Sequence, residues 1–212
     1  MMSGTRLSSL AALVVLATSS PAVATSQGPV RLDVAVGALA GGDTVRFTDR
    51  GQRFTVDKGS PGPASRLGVG YAVTRHFDLD AGTQVGSSSA FRFGRTVDYA
   101  SITGGTRCYP LGRDLRVRPW LVGEAGVYRA QARFQSLLFS YSHVERTANG
   151  GGLNLGGGFD VPLGRLVSLG VDARWNQTLH VFNDPHFVTT MANVSFHFGG
   201  SPAPPDGPRI QR

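Results

Sequence analysis

Apolar and polar residues alternate along most of the chain after residue 30, and this is the strongest pattern in the sequence. In the first segment, Val30, Leu32 and Val34 are separated by Arg31 and Asp33. A period of two places successive side chains on opposite faces of a β-strand. Six segments show the pattern clearly, at 30–38, 67–73, 77–85, 153–161, 167–175 and 188–198. Two weaker segments, at 100–108 and 118–127, bring the number of predicted strands to eight.

The connections between these predicted strands alternate in length. They are short at 74–76, 110–116 and 162–165, and long and polar at roughly 41–64, 86–96, 129–148 and 177–186. Short periplasmic turns and long external loops are typical of outer-membrane barrels. The pattern therefore predicts an all-β protein, an eight-stranded antiparallel up-and-down transmembrane β-barrel over residues 30–198. With an even number of strands, both chain ends fall on the periplasmic side.

Two kinds of barrel compete for this pattern, and they differ in which face meets water. A soluble barrel places its apolar residues inside, whereas a membrane barrel turns them outward to lipid. The polar face consists mostly of Gly, Ala, Ser and Thr with isolated charges, which suits the narrow interior of an eight-stranded barrel. Aromatic residues lie near strand ends on the apolar face, as in interfacial girdles: Tyr71, Phe77, Phe159, Trp175, Phe196 and Phe198. The membrane barrel is favoured, and a soluble envelope barrel that binds an apolar ligand remains the alternative.

The N-terminal segment has the features of a secretory signal peptide. Arg6 is followed by an apolar run at 10–17 and by Ala22-Val23-Ala24, an A-x-A cleavage site. We therefore predict a signal peptide at 1–24, a short lead at 25–29 and export to the bacterial cell outer membrane. Beyond the last strand, 199–212 is predicted to be a Pro-rich periplasmic tail.

Composition narrows the classes of function. The chain of 212 residues has a formal charge of +7, 29 glycines and one cysteine, so an internal disulfide is excluded. Its basic residues are almost all arginines that are scattered among aspartates, which argues against a nucleic-acid partner because that requires a clustered basic face. We also expect no cofactor, since the sequence has no phosphate-binding loop and no zinc-protease or hydrolase motif.

Three stretches carry a resemblance to a known family. They are 67–71 with 77–82, 118–128, and 153–159 continuing into 169–174. The chain resembles the small eight-stranded outer-membrane barrels of the OmpA and OmpX type, the outer-membrane β-barrel-domain group. Phe196 and Phe198 resemble the aromatic strand end that the outer-membrane assembly machinery reads, although a tail follows Phe198 here. The resemblance implies a monomer without catalytic activity, and the tail is too short for the peptidoglycan-binding domain of some members.

Charged residues on the polar face form the candidate site. The alternation points them into the lumen as a polar network of structural or gating role: Arg66, Asp78, Asp80, Arg107, Arg118, Glu124, Asp160, Asp172 and Arg174. We expect Glu124 to pair with Arg174 or Arg66, because unpaired buried charges are costly. The network predicts a plugged barrel with a structural or surface-interaction role. A narrow pore for small solutes is the alternative.

Three further groups of residues offer candidate binding or catalytic chemistry. Basic residues in the long connections, which include Arg129, Arg133 and Arg146, suggest contact with lipopolysaccharide phosphates, against the alternative of solvated loops. Ser195 and His197 share a strand face but have no readable orienting group, so catalysis is not predicted. His180, His186 and Asp184 lie in one loop and fall short of the four ligands of a structural metal site, so no metal is predicted.

Overall fold

A computed structural model of the chain describes residues 27–41, 45–49, 52–56, 60–90, 95–136, 141–181 and 185–199. These residues form ten strands: β1 (Val30–Gly41), β2 (Val45–Asp49), β3 (Gln52–Val56), β4 (Gly62–Ala72), β5 (Phe77–Ala90), β6 (Arg95–Cys108), β7 (Arg118–Ser136), β8 (Tyr141–Pro162), β9 (Val167–Leu179) and β10 (His186–Phe198). The predicted signal peptide and the tail beyond Gly199 lie outside the described residues. No helix in the described part of the chain is long and apolar enough to cross a membrane.

Eight of the strands close into one antiparallel barrel, in the order β1, β10, β9, β8, β7, β6, β5, β4. β1 closes the barrel by pairing with β10 on one side and β4 on the other, so that Val30 lies opposite both Phe198 and Tyr71. Closure gives every barrel strand two hydrogen-bonded neighbours, which leaves no open sheet edge. The predicted fold, an eight-stranded up-and-down barrel, is therefore confirmed.

The side-chain period of two produces two chemically different faces of the wall. The bulky apolar side chains point outward: Ile102 is 66% exposed and Leu155 is 53% exposed. The alternate positions are buried inside, among them Arg66 and Glu124. The two weaker segments follow the same rule, since Trp120 and Val122 of β7 point inward and Leu121 points outward. An alternation that is only local in the sequence therefore separates inside from outside around the whole barrel.

The long connections are shorter than predicted. The region predicted as a loop at 41–64 contains a separate hairpin, β2–β3. The predicted loop at 129–148 is largely strand, because β7 continues to Ser136 and β8 begins at Tyr141. Arg129, Arg133 and Arg146 accordingly lie on strands rather than in a loop. The polarity of these stretches was misleading, because a strand that projects beyond the apolar band can carry polar residues on both faces.

We call the end of the barrel with the short connections 73–76, 109–117 and 163–166 the turn end, and the opposite end the loop end. β1 begins and β10 ends at the turn end, where Val30 pairs with Phe198. Phe196 and Phe198 point outward there, and both are partly exposed. Their predicted role in assembly stays a prediction.

Candidate functional site

The candidate site is the interior of the barrel, where charged side chains from most of the wall converge. All nine residues that the sequence assigns to the lumen network are buried there. They come from β4, β5, β6, β7, β8 and β9. The structure thus places the predicted residues in one interior, because alternation gives each of them the same side of a closed wall.

The charges nearest the turn end form a group around Asp80, which we call the turn-end group. The Asp80 carboxylate pairs with three guanidinium groups, those of Arg31, Arg66 and Arg107. The Arg107 Nε lies 3.1 Å from Asp80 Oδ2. Arg31 also contacts Asp33, with 3.0 Å from Nε to Oδ1, so that its guanidinium links β1 to β5. Asp80 therefore connects three arginines from three different strands through charge-assisted contacts.

The turn between β6 and β7 covers the turn-end group at the turn end of the barrel. Tyr109 accepts a hydrogen bond from Arg31 Nη1 at 2.9 Å and donates one to Asp160 Oδ2 at 3.5 Å. Burial raises the pKa of Tyr109, so its phenol stays neutral and remains able to donate. Arg113, from the same turn, contacts Asp78. The turn residues therefore add both a hydrogen-bond bridge and a positive charge to the lumen.

A second group, which we call the mid-lumen group, is centred on Glu124. Glu124 Oε1 lies 2.6 Å from Arg66 Nη2 and 3.2 Å from Arg174 Nη1. Its other oxygen accepts a hydrogen bond of 2.7 Å from Thr103 Oγ1. Arg174 is held in addition by Asp172, with 2.9 Å between Nε and Oδ2. Glu124 therefore pairs with both of the arginines that the sequence offered as alternatives, and Arg66 joins this group to Asp80.

Trp120 separates and supports the two groups. The Arg107 guanidinium carbon lies 4.1 Å from the centre of the Trp120 ring, and the Arg174 guanidinium carbon lies 5.6 Å from it. Cation–π attraction is strongest for tryptophan and grows when the cation is desolvated. The ring, which is 1% exposed, therefore fills the space between the two arginines and lowers the energy of burying them.

Glycines on the inner face make room for the arginines. A Cβ at Gly82 would lie 2.7 Å from Arg66 Nη2, and a Cβ at Gly70 would lie 2.6 Å from Arg31 Nη2. Both distances are shorter than a van der Waals contact, so the guanidinium groups occupy space that any other residue would fill. The high glycine content therefore has a specific use in this interior.

The buried charges balance. Among the residues whose side chains the structure describes, five arginines and six carboxylates are buried in the interior. Arg113, from the turn, contacts Asp78 and makes the arginines six as well. An interior of equal opposite charges needs no counter-ion, and its close pairs offset part of the energy of desolvation.

The loop-end half of the lumen contains a packed apolar cluster beside buried uncharged polar side chains such as Ser88 and Thr189, whereas the charged groups lie toward the turn end. Eleven buried residues form one cluster there: Ala35, Leu39, Ala64, Val97, Tyr99, Tyr128, Ala130, Ala132, Val181, Phe187 and Met191. The rings of Tyr99 and Phe187 stack with 4.6 Å between centroids. The lumen is therefore filled by ion pairs toward the turn end and by packed apolar and uncharged polar side chains toward the loop end.

Arg118 lies outside the ion-pair groups. Its Nε donates to the Leu115 carbonyl at 3.2 Å, and its Nη1 donates to Gln27. Four titratable residues of these groups were not among the predicted site residues, namely Arg31, Asp33, Tyr109 and Arg113. Arg31 and Asp33 had a signal in the sequence, because they alternate with Val30, Leu32 and Val34 on β1. Tyr109 and Arg113 had no such signal, since only the folded turn brings them under the barrel.

The serine and histidine of β10 lie on the inner face of the barrel, as the alternation of the strand predicts. Ser195 and His197 share the inner face, but His197 Nε2 lies 3.1 Å from Ser168 Oγ of β9. All three residues are buried. His180 and His186 flank the last connection, where Asp184 is outside the described residues. Within the described ranges, no three His, Cys, Asp or Glu side chains are grouped as a metal site would require.

Comparison with models of protein families finds no match, and comparison with curated proteins finds none either. Among solved structures, Neisserial surface protein A has a TM-score of 0.59 and 13% identity, and the alignment covers 81% of this chain and 98% of that one. Ail, the attachment invasion locus protein of Yersinia pestis, has a TM-score of 0.49 and 16% identity, covering 81% and 99%. The N-terminal β-barrel domain of Pseudomonas aeruginosa OprF has a TM-score of 0.46 and 11% identity, covering 81% and 98%. At 13% identity the likeness to Neisserial surface protein A concerns the fold alone, which is the closed eight-stranded antiparallel barrel described above.

Proposed function

We propose that the protein is an integral outer-membrane β-barrel whose plugged lumen gives it a structural or surface-interaction role. The observation that carries this proposal is the inversion of the barrel faces. Leu67, Val69, Leu155 and Val171 are exposed on the wall, whereas Arg66, Asp80 and Glu124 are buried. In water, such an exterior would leave a large apolar surface uncovered. In a bilayer, acyl chains cover it.

The filling of the lumen supports the structural role over the narrow pore. A conducting path needs a continuous open route, and packed apolar side chains occupy part of the loop-end half of the lumen. The turn-end group is bound together by Asp80 and three arginines, and moving any one of them breaks several contacts. We propose that this interior stabilises the barrel and carries no solute, and that the protein performs no catalysis.

The soluble alternative, a barrel that binds an apolar ligand, fits the faces poorly. Its lumen would have to be apolar along its length, and here a charged network occupies the turn-end half. We further propose that the chain is monomeric, that it contacts outer-membrane lipid including lipopolysaccharide, and that Phe196 and Phe198 present the final strand to the assembly machinery. The outward position of both rings on β10 is compatible with that recognition.

Membrane fractionation tests insertion. Expressed with residues 1–24 in a bacterium with two membranes, the protein should sediment with the outer membrane, resist salt and carbonate, and dissolve only in detergent. Unboiled protein should migrate differently from boiled protein on a gel, because a closed barrel resists unfolding by detergent. Release by carbonate, or identical mobility before and after boiling, would contradict an integral barrel.

Planar-bilayer recording separates the plugged barrel from the pore. The purified protein and Glu124→Ala should both give no stable single-channel steps, because the apolar cluster persists when Glu124 is removed. Steps that occur in the unmodified protein and change in Glu124→Ala would establish the pore and overturn the plugged lumen.

A further inference from the structure

A groove crosses the outer wall of the barrel near its loop end. Its volume is about 740 Å³, and it spans β1, β4, β5, β6 and β7. One row of paired outward positions runs along it, namely Val36, Ser65, Val85, Ala100 and Arg129. The lumen network does not extend to this row, because these side chains point to the opposite side of the wall.

The groove lies where the apolar band of the wall ends. On β7 the outward positions change from Leu121 and Val127, which are strongly exposed apolar residues, to Arg129, Gln131 and Arg133. On β6 they change from Ile102 and Ala100 to Asp98. In a bilayer this change marks the level at which acyl chains give way to headgroups. Val36, Val85 and Ala100, which continue the apolar band, therefore face acyl chains, whereas the groove residues of the polar stretch, Asp98, Arg129, Gln131 and Arg133, face headgroups.

Small side chains make the groove floor low. Ser65 and Ala100 stand on either side of Val85, whereas the next outward row toward the turn end carries larger side chains at the matching strands, Leu67 on β4 and Ile102 on β6. At the upper rim, the pairing of β7 with β8 shifts register between Ala132 and Arg133. A bulge of this kind bends a strand and increases its local twist. The floor and the bend together give a concave surface on a wall that is otherwise convex.

Two arginines give the rim its positive charge, one paired with a carboxylate and one, among the described residues, without a paired carboxylate. Arg133 is held by Asp98, with 2.8 Å between Nε and Oδ2, and it also donates to Gln131 Oε1 at 3.1 Å. Arg129 is exposed and lines the groove, and no carboxylate pairs with it within the described part of the chain. An anionic group placed above the floor would therefore meet one uncompensated guanidinium, with a second one fixed beside it. Guanidinium groups bind phosphate by paired, charge-assisted hydrogen bonds.

We infer that this groove binds one phosphorylated lipid of the outer leaflet, with an acyl chain against Val36, Val85 and Ala100 and a phosphate on Arg129. The inference rests on the proposed function, because it requires the wall to face a bilayer. Lipopolysaccharide is the proposed occupant, because it carries phosphate at the level of the headgroups and acyl chains below it. The phosphate would meet the charge of Arg129, and an acyl chain would lie against the apolar part of the groove. Arg133 then acts as a fixed second donor whose own ion pair keeps it in place.

The test measures the binding of purified lipid A to the detergent-solubilised barrel by native mass spectrometry. We expect one lipid A molecule per unmodified barrel. Ala100→Trp fills the groove floor and Arg129→Gln removes the phosphate ligand, and each should lower the affinity about tenfold or more, which corresponds to the loss of a charge-assisted contact or of the bound chain. Lipid A without phosphates should bind the unmodified barrel as weakly as bisphosphorylated lipid A binds Arg129→Gln.

Two matched variants control for general effects of the substitutions. Ala173→Trp adds the same ring to an outward alanine of β9, away from the groove, and Arg165→Gln removes an exposed arginine at the turn end. Both should bind lipid A as the unmodified barrel does. Equal binding by all variants, or equal binding of lipid A without phosphates, would overturn the inference. Heat-dependent gel mobility is recorded for every preparation: a folded barrel that lacks groove-dependent binding refutes only this inference, whereas loss of the mobility shift in the unmodified protein refutes the proposed function.

Discussion

Glu124 of β7 accepts a hydrogen bond from Arg66 of β4 across the barrel interior, with 2.6 Å between Oε1 and Nη2. The two strands are not neighbours, because β5 and β6 lie between them in the wall. This contact therefore ties together parts of the barrel that the backbone hydrogen bonds of the sheet do not join directly. Arg174 of β9 reaches the same oxygen from the other side, which makes Glu124 the link between three strands.

Removing the Glu124 carboxylate should destabilise the barrel strongly. Glu124→Ala leaves Arg66 and Arg174 buried with fewer carboxylates, and breaking a buried ion pair costs about 3–5 kcal/mol. The free energy of unfolding in detergent, measured by urea titration, should fall by that amount. Asp98→Ala is the control, because its ion pair with Arg133 is partly exposed and should contribute at most about 1 kcal/mol. Equal losses of unfolding free energy in the two variants would show that the mid-lumen group stabilises the barrel no more than a partly exposed ion pair does.

A charge on the outer wall should be costly only if lipid covers that wall. Leu155→Arg, at a position that is 53% exposed on β8, should lower the folding free energy in lipid vesicles by about 2–4 kcal/mol. Leu111→Arg is the control, because Leu111 is 64% exposed in the turn between β6 and β7 and should tolerate arginine. In a soluble barrel both substitutions would be nearly neutral, so a neutral Leu155→Arg would contradict the membrane wall.

The two tryptophans should report opposite environments. Trp175 points outward from β9 and is 40% exposed, whereas Trp120 is enclosed by Arg107 and Arg174. In vesicles that contain brominated lipid, the fluorescence of Trp120→Phe should be strongly quenched, because only Trp175 remains. The fluorescence of Trp175→Phe should be quenched much less. The reverse order would mean that the inner and outer faces of the wall are interchanged.

Glycine at position 82 should be required by Arg66 and by the neighbouring backbone of β4, which both lie close to it. In Gly82→Ala the new methyl would lie 2.7 Å from Arg66 Nη2 and 2.8 Å from the Leu67 carbonyl oxygen, so the guanidinium must move away from Glu124 and the backbone must shift. We expect a loss of about 1–3 kcal/mol in unfolding free energy, the usual range for overpacking. Gly104→Ala is the matched control on β6, since its methyl would meet nothing closer than a backbone oxygen at 3.8 Å. A loss in Gly104→Ala as large as that in Gly82→Ala would show that replacing any strand glycine destabilises the barrel, whatever lies next to it.

The architecture was readable from local pattern because a strand in a barrel has two faces of constant chemistry. Arg66, Asp80 and Glu124 lie far apart in the chain, yet each occupies the polar position of its own alternation, and a closed wall turns all such positions inward. The same rule applied to Arg31, whose place in the network was nevertheless not predicted. The lengths of β7 and β8 were misjudged, because polar residues such as Gln131 and Arg133 follow the apolar band without ending the strand.

By itself, the alternation along the chain determined the number of barrel strands, their antiparallel order and the side on which each charge lies, because the two-residue period of a strand is a local property of the backbone. Tertiary structure alone decided which charges meet, such as Asp80 with three arginines and Glu124 with two. It also decided that Tyr109 and Arg113 close the interior from a turn, and that an apolar cluster packs in the loop-end half of the lumen. Partners across a lumen depend on the register, tilt and closure of strands distant in sequence, and no local period carries that information.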